Sequence, residues 1–250
     1  MQYMLEGNNM LELKNVSKKY GKMDAVSNVS FSVDGGQVLG LVGANGAGKS
    51  TCVSMIATLT KPDSGTILFE GKDIVHEPEV IRKRLGFVPQ DIALYESLSG
   101  MDNLKFWGKS YGVASKDLDS EIKRVCEIIS FDEEMLKKRV SAYSGGMKRR
   151  LNIGVALLHR PKLVILDEPT TGIDIQSGTQ ILNAIEGLKN QGTAIIYVGH
   201  YVEEVERIST HLCFLEQGVC RAFGTVQEVL KQMGKASLSE LLLAGAHTNH

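Results

Sequence analysis

The chain has 250 residues and 43% hydrophobic content, enough to bury a large core and incompatible with a disordered tail. Its 28 basic and 29 acidic residues leave a net charge of −1 with no long single-sign block, which argues against tight nonspecific binding to nucleic acid. Cys52, Cys126, Cys213 and Cys220 show neither metal nor disulfide spacing, as expected of reduced thiols, and apolar stretches such as Leu163–Leu166 and Leu241–Ala244 fall far short of the roughly 20 residues of a membrane span.

In chain order, Met1–Met10 lacks the apolar core of a signal peptide, so any membrane role is expected to come from a partner. Leu11–Val16 and Val26–Val33 read as strands separated by a Tyr20-Gly21 turn, the second alternating Val29, Phe31 and Val33 with polar residues. They predict a small antiparallel sheet. Val38–Val42 is a short buried strand that breaks into Gly43-Ala44-Asn45-Gly46-Ala47-Gly48-Lys49-Ser50-Thr51, with a helix over 49–58. Glycines at 43, 46 and 48 let the backbone approach phosphate oxygens too closely for a Cβ, and the helix start offers unpaired N–H groups and a positive dipole end. In such a loop Lys49 reaches the β and γ phosphates and Ser50 ligates Mg²⁺. The strand, loop and helix order makes this a nucleotide-binding protein.

Thr66–Phe69 and Leu85–Val88 read as further strands, the latter ending at Pro89 and Gln90. From Met101 to Arg160 the pattern is mainly helical, with helices over Asp119–Ile129 and from about Gly146, and predicts a helical subdomain inserted into an α/β core. The core resumes with strands at Leu163–Leu166, Ala194–Val198 and His211–Leu215 and a helix over Gln176–Lys189. A turn-rich segment, Gln217–Gly224, precedes one or two short C-terminal helices, including an amphipathic stretch at Val226–Met233.

The strand Leu163–Leu166 delivers Asp167 and Glu168 to its C-terminal end, where ligands bind in open α/β sheets. Asp167 is assigned to Mg²⁺ and Glu168 to the base that orients an attacking water, because phosphoryl transfer needs charge neutralisation and an in-line nucleophile. Ser144-Gly145-Gly146 opens another helix and so forms a second potential anion site. One nucleotide does not need two such sites in one chain.

The run YSGGMKRRLNIGVALLHRPKLVILDEPTTGID, from Tyr143 to Asp174, strongly resembles the signature-to-aspartate stretch of ATP-binding cassette (ABC) ATPases, and the resemblance extends over roughly 11–224. It implies an α/β phosphate-loop NTPase core with an N-terminal antiparallel β-subdomain and an inserted α-helical subdomain. The implied division is one ATPase domain over 10–224, with the core at 10–90 and 161–224, the helical subdomain at 91–160 and a C-terminal extension at 225–250. Two such domains would face each other head to tail, as a homodimer or heterodimer. Ser144, Gly145 and Gly146 would then contact the γ phosphate held by the other protomer. The resemblance further implies that Tyr20 stacks on adenine, Gln90 touches Mg²⁺ or the attacking water, Asp174 couples the two sites across the dimer, and His200 contacts the γ phosphate. Lys148, Arg149 and Arg150, which either strengthen the anion site or form a solvated basic face, are read as the solvated face.

Tyr143 and Met147 depart from the family's usual Leu and Gln, and Gly199 precedes His200 where a small hydroxyl residue is common. Met147 and the basic run resemble the branch that serves type 2 export permeases. The implied function is the ATP-hydrolysing subunit of a transporter, acting from the cytoplasmic side on separate transmembrane permease subunits, with ATP and Mg²⁺ and no nucleic acid. Within it, 90–111, with Ile92, Leu94, Tyr95, Leu98, Met101, Leu104, Phe106 and Trp107, is the candidate groove for the membrane partner. The alternative is a soluble ABC ATPase acting in translation, DNA maintenance or cluster assembly. Against it stand the single phosphate loop, the lack of sustained heptads in the helical insert and the balanced charge. An unrelated phosphate-loop kinase or GTPase would lack the Ser144 signature, and no guanine-reading motif is present in the usual place.

Overall fold

The computed structural model describes residues 9–246; most of the Met1–Met10 stretch and the last residues of the 225–250 extension lie outside the described residues. β1 (Leu11–Tyr20) and β2 (Met23–Val33) form a hairpin, and β3 (Val38–Val42) runs through the glycine loop into α1 (Lys49–Ile56). Next come β4 (Ser64–Phe69), the two-residue β5 (Lys72–Asp73), α2 (Glu79–Arg82) and β6 (Leu85–Val88). A helical stretch follows: α3 (Gly100–Ser110), α4 (Leu118–Ile129), α5 (Glu133–Lys137), a 3₁₀ turn at Val140–Ala142 and α6 (Gly145–Leu157). The chain then alternates through β7 (Leu163–Asp167), α7 (Ile175–Asn190), β8 (Ala194–Val198), α8 (Val202–Ile208) and β9 (His211–Glu216), and closes with β10 (Val219–Thr225), α9 (Val226–Met233) and α10 (Leu238–Ala246).

Two sheets result, an antiparallel one in the order β2-β1-β4-β5 and a six-stranded one in the order β10-β9-β3-β8-β7-β6. The first strands run longer than their apolar alternation predicts because β1 lies between two partners. It pairs with β2 out to Tyr20 opposite Met23, and with β4 on its other edge. Backbone pairing thus extends strand structure into polar residues. The helix after the loop stops at Ile56, short of position 58, where Thr58 takes a φ of +58°. The turn-rich reading of Gln217–Gly224 is corrected: only Gln217 and Gly218 turn, both with positive φ, and β10 pairs antiparallel with β9.

β3 and β8 are buried along their whole length, as central parallel strands covered on both faces must be. One core cluster lies between the two sheets around α1, with Phe31, Leu41, Met55 and Phe69 fully enclosed. The other lies under the helices, with Val125, Leu151, Leu166 and Phe214. Register fixes what the core presents. Val88 is beside Leu166, Asp167 beside Val198, and Val198 beside Leu41. Four neighbouring parallel strands therefore end in one row, and the segments carrying Gln90, Glu168, His200 and the glycine loop leave the sheet side by side.

The helical stretch is anchored to this sheet where α6 crosses β6. A Cβ on Gly86 would sit 2.6 Å from the Ala156 carbonyl oxygen, so backbone packs on backbone there. Gly86→Val should destabilise the fold by about 1–3 kcal/mol through overpacking. A lowered urea midpoint at unchanged slope would register the loss.

Candidate nucleotide site

The glycine loop is shaped by close approach. Gly43 (φ +150°) and Gly48 (φ +103°) sit in backbone regions that side chains avoid, and a Cβ would overlap the Leu215 carbonyl at the first and lie 2.6 Å from the Ala25 carbonyl at the second. Gly46 (φ +78°) faces open space instead. Gly218 N–H donates to the Ala47 carbonyl at 3.1 Å, so the β9-β10 turn supports the loop from behind. Ala44 is half-buried, Asn45 and Ser50 are exposed, and Thr51 is half-buried on the first turn of α1. The Lys49 ammonium donates to the Gly43 and Ala44 carbonyls at 2.7 and 2.9 Å, which holds it over the loop. Burial pushes its pKa down, while Glu168 and Asp167 pull it up. The result is a cradle of backbone and one cation, the arrangement that receives a polyphosphate.

The acids converge on the same place. His200 Nε2 contacts Glu168 Oε1, and the Gln90 amide donates to Glu168 Oε2 at 3.2 Å. Glu168 itself has a φ of +50°, a left-handed conformation that costs a non-glycine residue on the order of 1–3 kcal/mol. Burial, and next the Glu168 charge, push the Asp167 carboxyl up; Lys49, His200 and Arg149 pull it back. Two adjacent carboxylates with too little opposing charge fit a cation. The hard oxygen donors assigned to one, in Ser50, Gln90 and Asp167, suit Mg²⁺, which keeps several waters and is completed by phosphate oxygens. Among the described residues no cluster of three His, Cys, Asp or Glu side chains would cage a metal without them.

Ser144 caps α6 by accepting from Met147 N–H at 3.2 Å, and Asp174 caps α7 by accepting from Ser177 N–H at 2.8 Å. That bond holds the Asp174 carboxyl below the usual range. The two helix starts abut: a Cβ on Gly146 would overlap Ser177, and one on Gly145 would lie 4.0 Å from the Gly172 carbonyl. The absent side chain at Gly146 is therefore required by this chain's own α7. Ser144, Gly145, Thr171, Gly172, Asp174 and Ile175 form one exposed surface, on which Ile175 is 90% exposed. Tyr20 is 48% exposed at the tip of the β1-β2 hairpin, with Lys18 5.8 Å from its ring centroid.

The solvated reading of the basic run is corrected. Arg149 and Arg150 are each 6% exposed. Arg149 donates to the Pro89 and Gln90 carbonyls at 3.1 and 2.8 Å, and Arg150 donates to the Ile129 and Ser130 carbonyls at 3.0 and 2.9 Å. Lys148 pairs with Glu96 at 2.5 Å. A run of three charges on a helix necessarily turns around its circumference, so two point inward.

The departures at 143 and 199 have steric causes. Tyr143 is buried, donates to the Met135 carbonyl at 2.5 Å and fills the space left by Gly100, whose Cβ would overlap the phenol. At Gly199 a Cβ would overlap the Tyr197 ring, and the Tyr197 hydroxyl donates to Glu204, which also accepts from Thr170 at 2.6 Å. This partly buried triad, absent from the sequence reading, ties the segments that carry His200 and Glu168. A tyrosine inside an otherwise aliphatic strand is the signal that could have exposed it.

Residues 26–171 match the family model described as ABC transporter. The chain is 42% identical over 236 residues to the linearmycin resistance ATP-binding protein LnrL of Bacillus subtilis, covering 94% of this chain and 76% of that protein. It is 37% identical to the Nod factor export ATP-binding protein I of Cupriavidus metallidurans, over 88% of this chain and 73% of that protein. A solved structure of an ATP-binding subunit of an ABC transporter superposes with a TM-score of 0.85 at 30% identity, over 94% of this chain and 99% of that one. The chain belongs to the ABC transporter family, as an ATP-binding and ATP-hydrolysing subunit.

Gly199→Ser should destabilise by about 1–3 kcal/mol through overlap with the Tyr197 ring. In a Tyr197→Val background, itself destabilised by loss of the buried ring, Gly199→Ser should cost markedly less than in the wild type, as a thermal-melting comparison of the two single variants and the double variant would record.

Proposed function

We propose that this subunit drives export of a small molecule through transmembrane permease subunits on separate chains, to which it binds peripherally on the cytoplasmic side. The observation that carries the chemistry is the convergence of Gln90 and His200 on the one carboxylate of Glu168, in the row of strand ends that also holds Lys49. The Nod factor export relative supports the direction, and the linearmycin resistance relative supports a small-molecule cargo. Among the described residues no helix is long and apolar enough to cross a membrane, which leaves translocation to the partner. Exposed Ile92, Tyr95, Leu98 and Phe106, with Tyr95 and Phe106 edge to face at 4.9 Å, offer that partner an apolar surface.

In this reading Tyr20 stacks on adenine, and the loop N–H groups of 43–51 with Lys49 hold the phosphates. Ser50, Gln90 and Asp167 would hold Mg²⁺, which supplies charge neutralisation on the transferring phosphoryl group. Glu168 accepts a proton from the attacking water, with His200 and Gln90 fixing its two oxygens. The exposed surface of Ser144, Gly145, Thr171 and Asp174 meets a second cassette head to tail, so each ATP is closed over by the other protomer's signature turn. Closure on ATP and reopening after hydrolysis would move the permease. The division of labour is a core of 10–90 and 161–224, a helical subdomain of 91–160 that carries the signature, and an extension at 225–250.

Glu168→Gln should retain ATP, abolish turnover and accumulate a dimer on size exclusion with ATP; sustained hydrolysis would remove Glu168 as the base. Lys49→Ala should weaken ATP binding itself in a calorimetric titration. Tyr20→Ala should cost about 1–3 kcal/mol of ATP affinity, the range for base stacking on an aromatic ring, and an unchanged dissociation constant would dismiss the stacking role.

A further inference from the structure

Arg149 lies in the second turn of α6, on the signature helix, yet its charge is felt by the acids of this chain's own nucleotide site. Its guanidinium is nearly enclosed, is bonded by one nitrogen to both the Pro89 and Gln90 carbonyls, and faces Asp91, Asp167 and Glu168. The Gln90 side chain in turn bonds Glu168. Two further α6 residues hold the segment that follows Gln90: Asn152 Oδ1 accepts from Ala93 N–H at 3.3 Å, and Lys148 pairs with Glu96. Beyond them, Glu96 and Leu98 are bonded through their carbonyls to Ser141 and Val140 N–H. The exposed stretch from Pro89 to Leu98 is thus held by polar bonds from α6 and the turn before it, together with buried Asn103 of α3, which accepts from Tyr95 N–H and donates to the Tyr95 carbonyl.

We infer that Arg149 is a positioning residue for ATP hydrolysis: it fixes the backbone of Gln90, and through it the Gln90 amide on Glu168, to the helix whose start forms the signature turn. This deepens the ATPase reading above and rests on it. A buried cation that sets one nitrogen between two carbonyls holds both by charge-assisted hydrogen bonds, which a packing residue of the same size cannot supply. A shift of α6 therefore pulls on the Gln90 carbonyl directly. The signature turn of one protomer and the base geometry of the same protomer become one mechanical unit.

The test is a double-mutant cycle on the full-length chain, measuring steady-state ATPase and ATP affinity for wild type, Arg149→Met, Gln90→Ala and the combined variant, with Arg149→Lys as the conservative control. Arg149→Met should lower kcat about tenfold while KM and the ATP dissociation constant stay within about twofold, the pattern of a group needed only in the transition state. Arg149→Lys, which keeps a donor, should recover most of kcat. In the Gln90→Ala background Arg149→Met should cost less than about twofold, because the two residues act in series. A multiplicative loss, equal losses in affinity and kcat, or no loss in Arg149→Met would each overturn the inference. If Arg149→Met does not fold, the same cycle with Arg149→Gln decides between the same outcomes. Glu168→Gln separates the two layers: turnover by that variant overturns the base, whereas an inactive Glu168→Gln beside an unimpaired Arg149→Met overturns the positioning role alone.

Discussion

Two carboxylates at the end of a buried strand, set next to a lysine that is itself buried, are the constraint around which the rest of the molecule is arranged. Adjacent charges in a partly desolvated place are costly unless cations and hydrogen bonds face them. Asp167 is pushed up by burial and by Glu168, and the groups that oppose this come from three different places: Lys49 at the start of α1, His200 after β8, and Arg149 on α6. Glu168 is held by an amide from beyond β6 and an imidazole from beyond β8, with its own backbone in the left-handed region. In the function proposed above, Mg²⁺ would answer this concentration of negative charge, and the adjoining loop with Lys49 would take the polyphosphate.

The sheet makes that concentration possible. Parallel pairing of β6, β7, β8 and β3 aligns their C-terminal ends, so residues separated by more than a hundred positions leave the sheet together. Behind the row, the β9 carbonyl at Leu215 presses on Gly43, and the β2 carbonyl at Ala25 with the hairpin turn at Gly218 presses on Gly48, closely enough that neither admits a side chain. The loop is consequently shaped before any ligand arrives, which reduces the ordering cost of binding.

Besides the apolar cluster it shares with the sheet, the helical stretch is joined to the site by directional polar bonds. Arg149, Arg150, Lys148 and Asn152 all reach from α6 to backbone or side-chain groups of neighbouring segments. At the other end of the site, Tyr197, Glu204 and Thr170 pin the His200 and Glu168 segments to each other at the edge of the core.

Much of this could be read from residue order. The glycine spacing before Lys49, the apolar strand ending in Asp167 and Glu168, and the Ser144 helix start are local patterns, each set by backbone sterics or by the end of a buried strand. They pointed to a phosphate-binding site, and the resemblance of Tyr143–Asp174 to ABC ATPases added the nucleotide, the fold and the family. The extent of β1 and the existence of β10 could not be read so, because a strand needs a neighbour and its polar residues carry no apolar period. The fate of the basic run was also hidden: charge says nothing about which way a helix turns its residues until the helix has something to pack on. Why position 199 is glycine depended on a ring two residues away. What the sequence determined by itself was the chemistry each segment carries, since that follows from residue type and short spacing. What only the tertiary structure decided was which distant segments share a site and which charges are buried, because both depend on strand register and helix rotation, which are set by contacts across the whole chain.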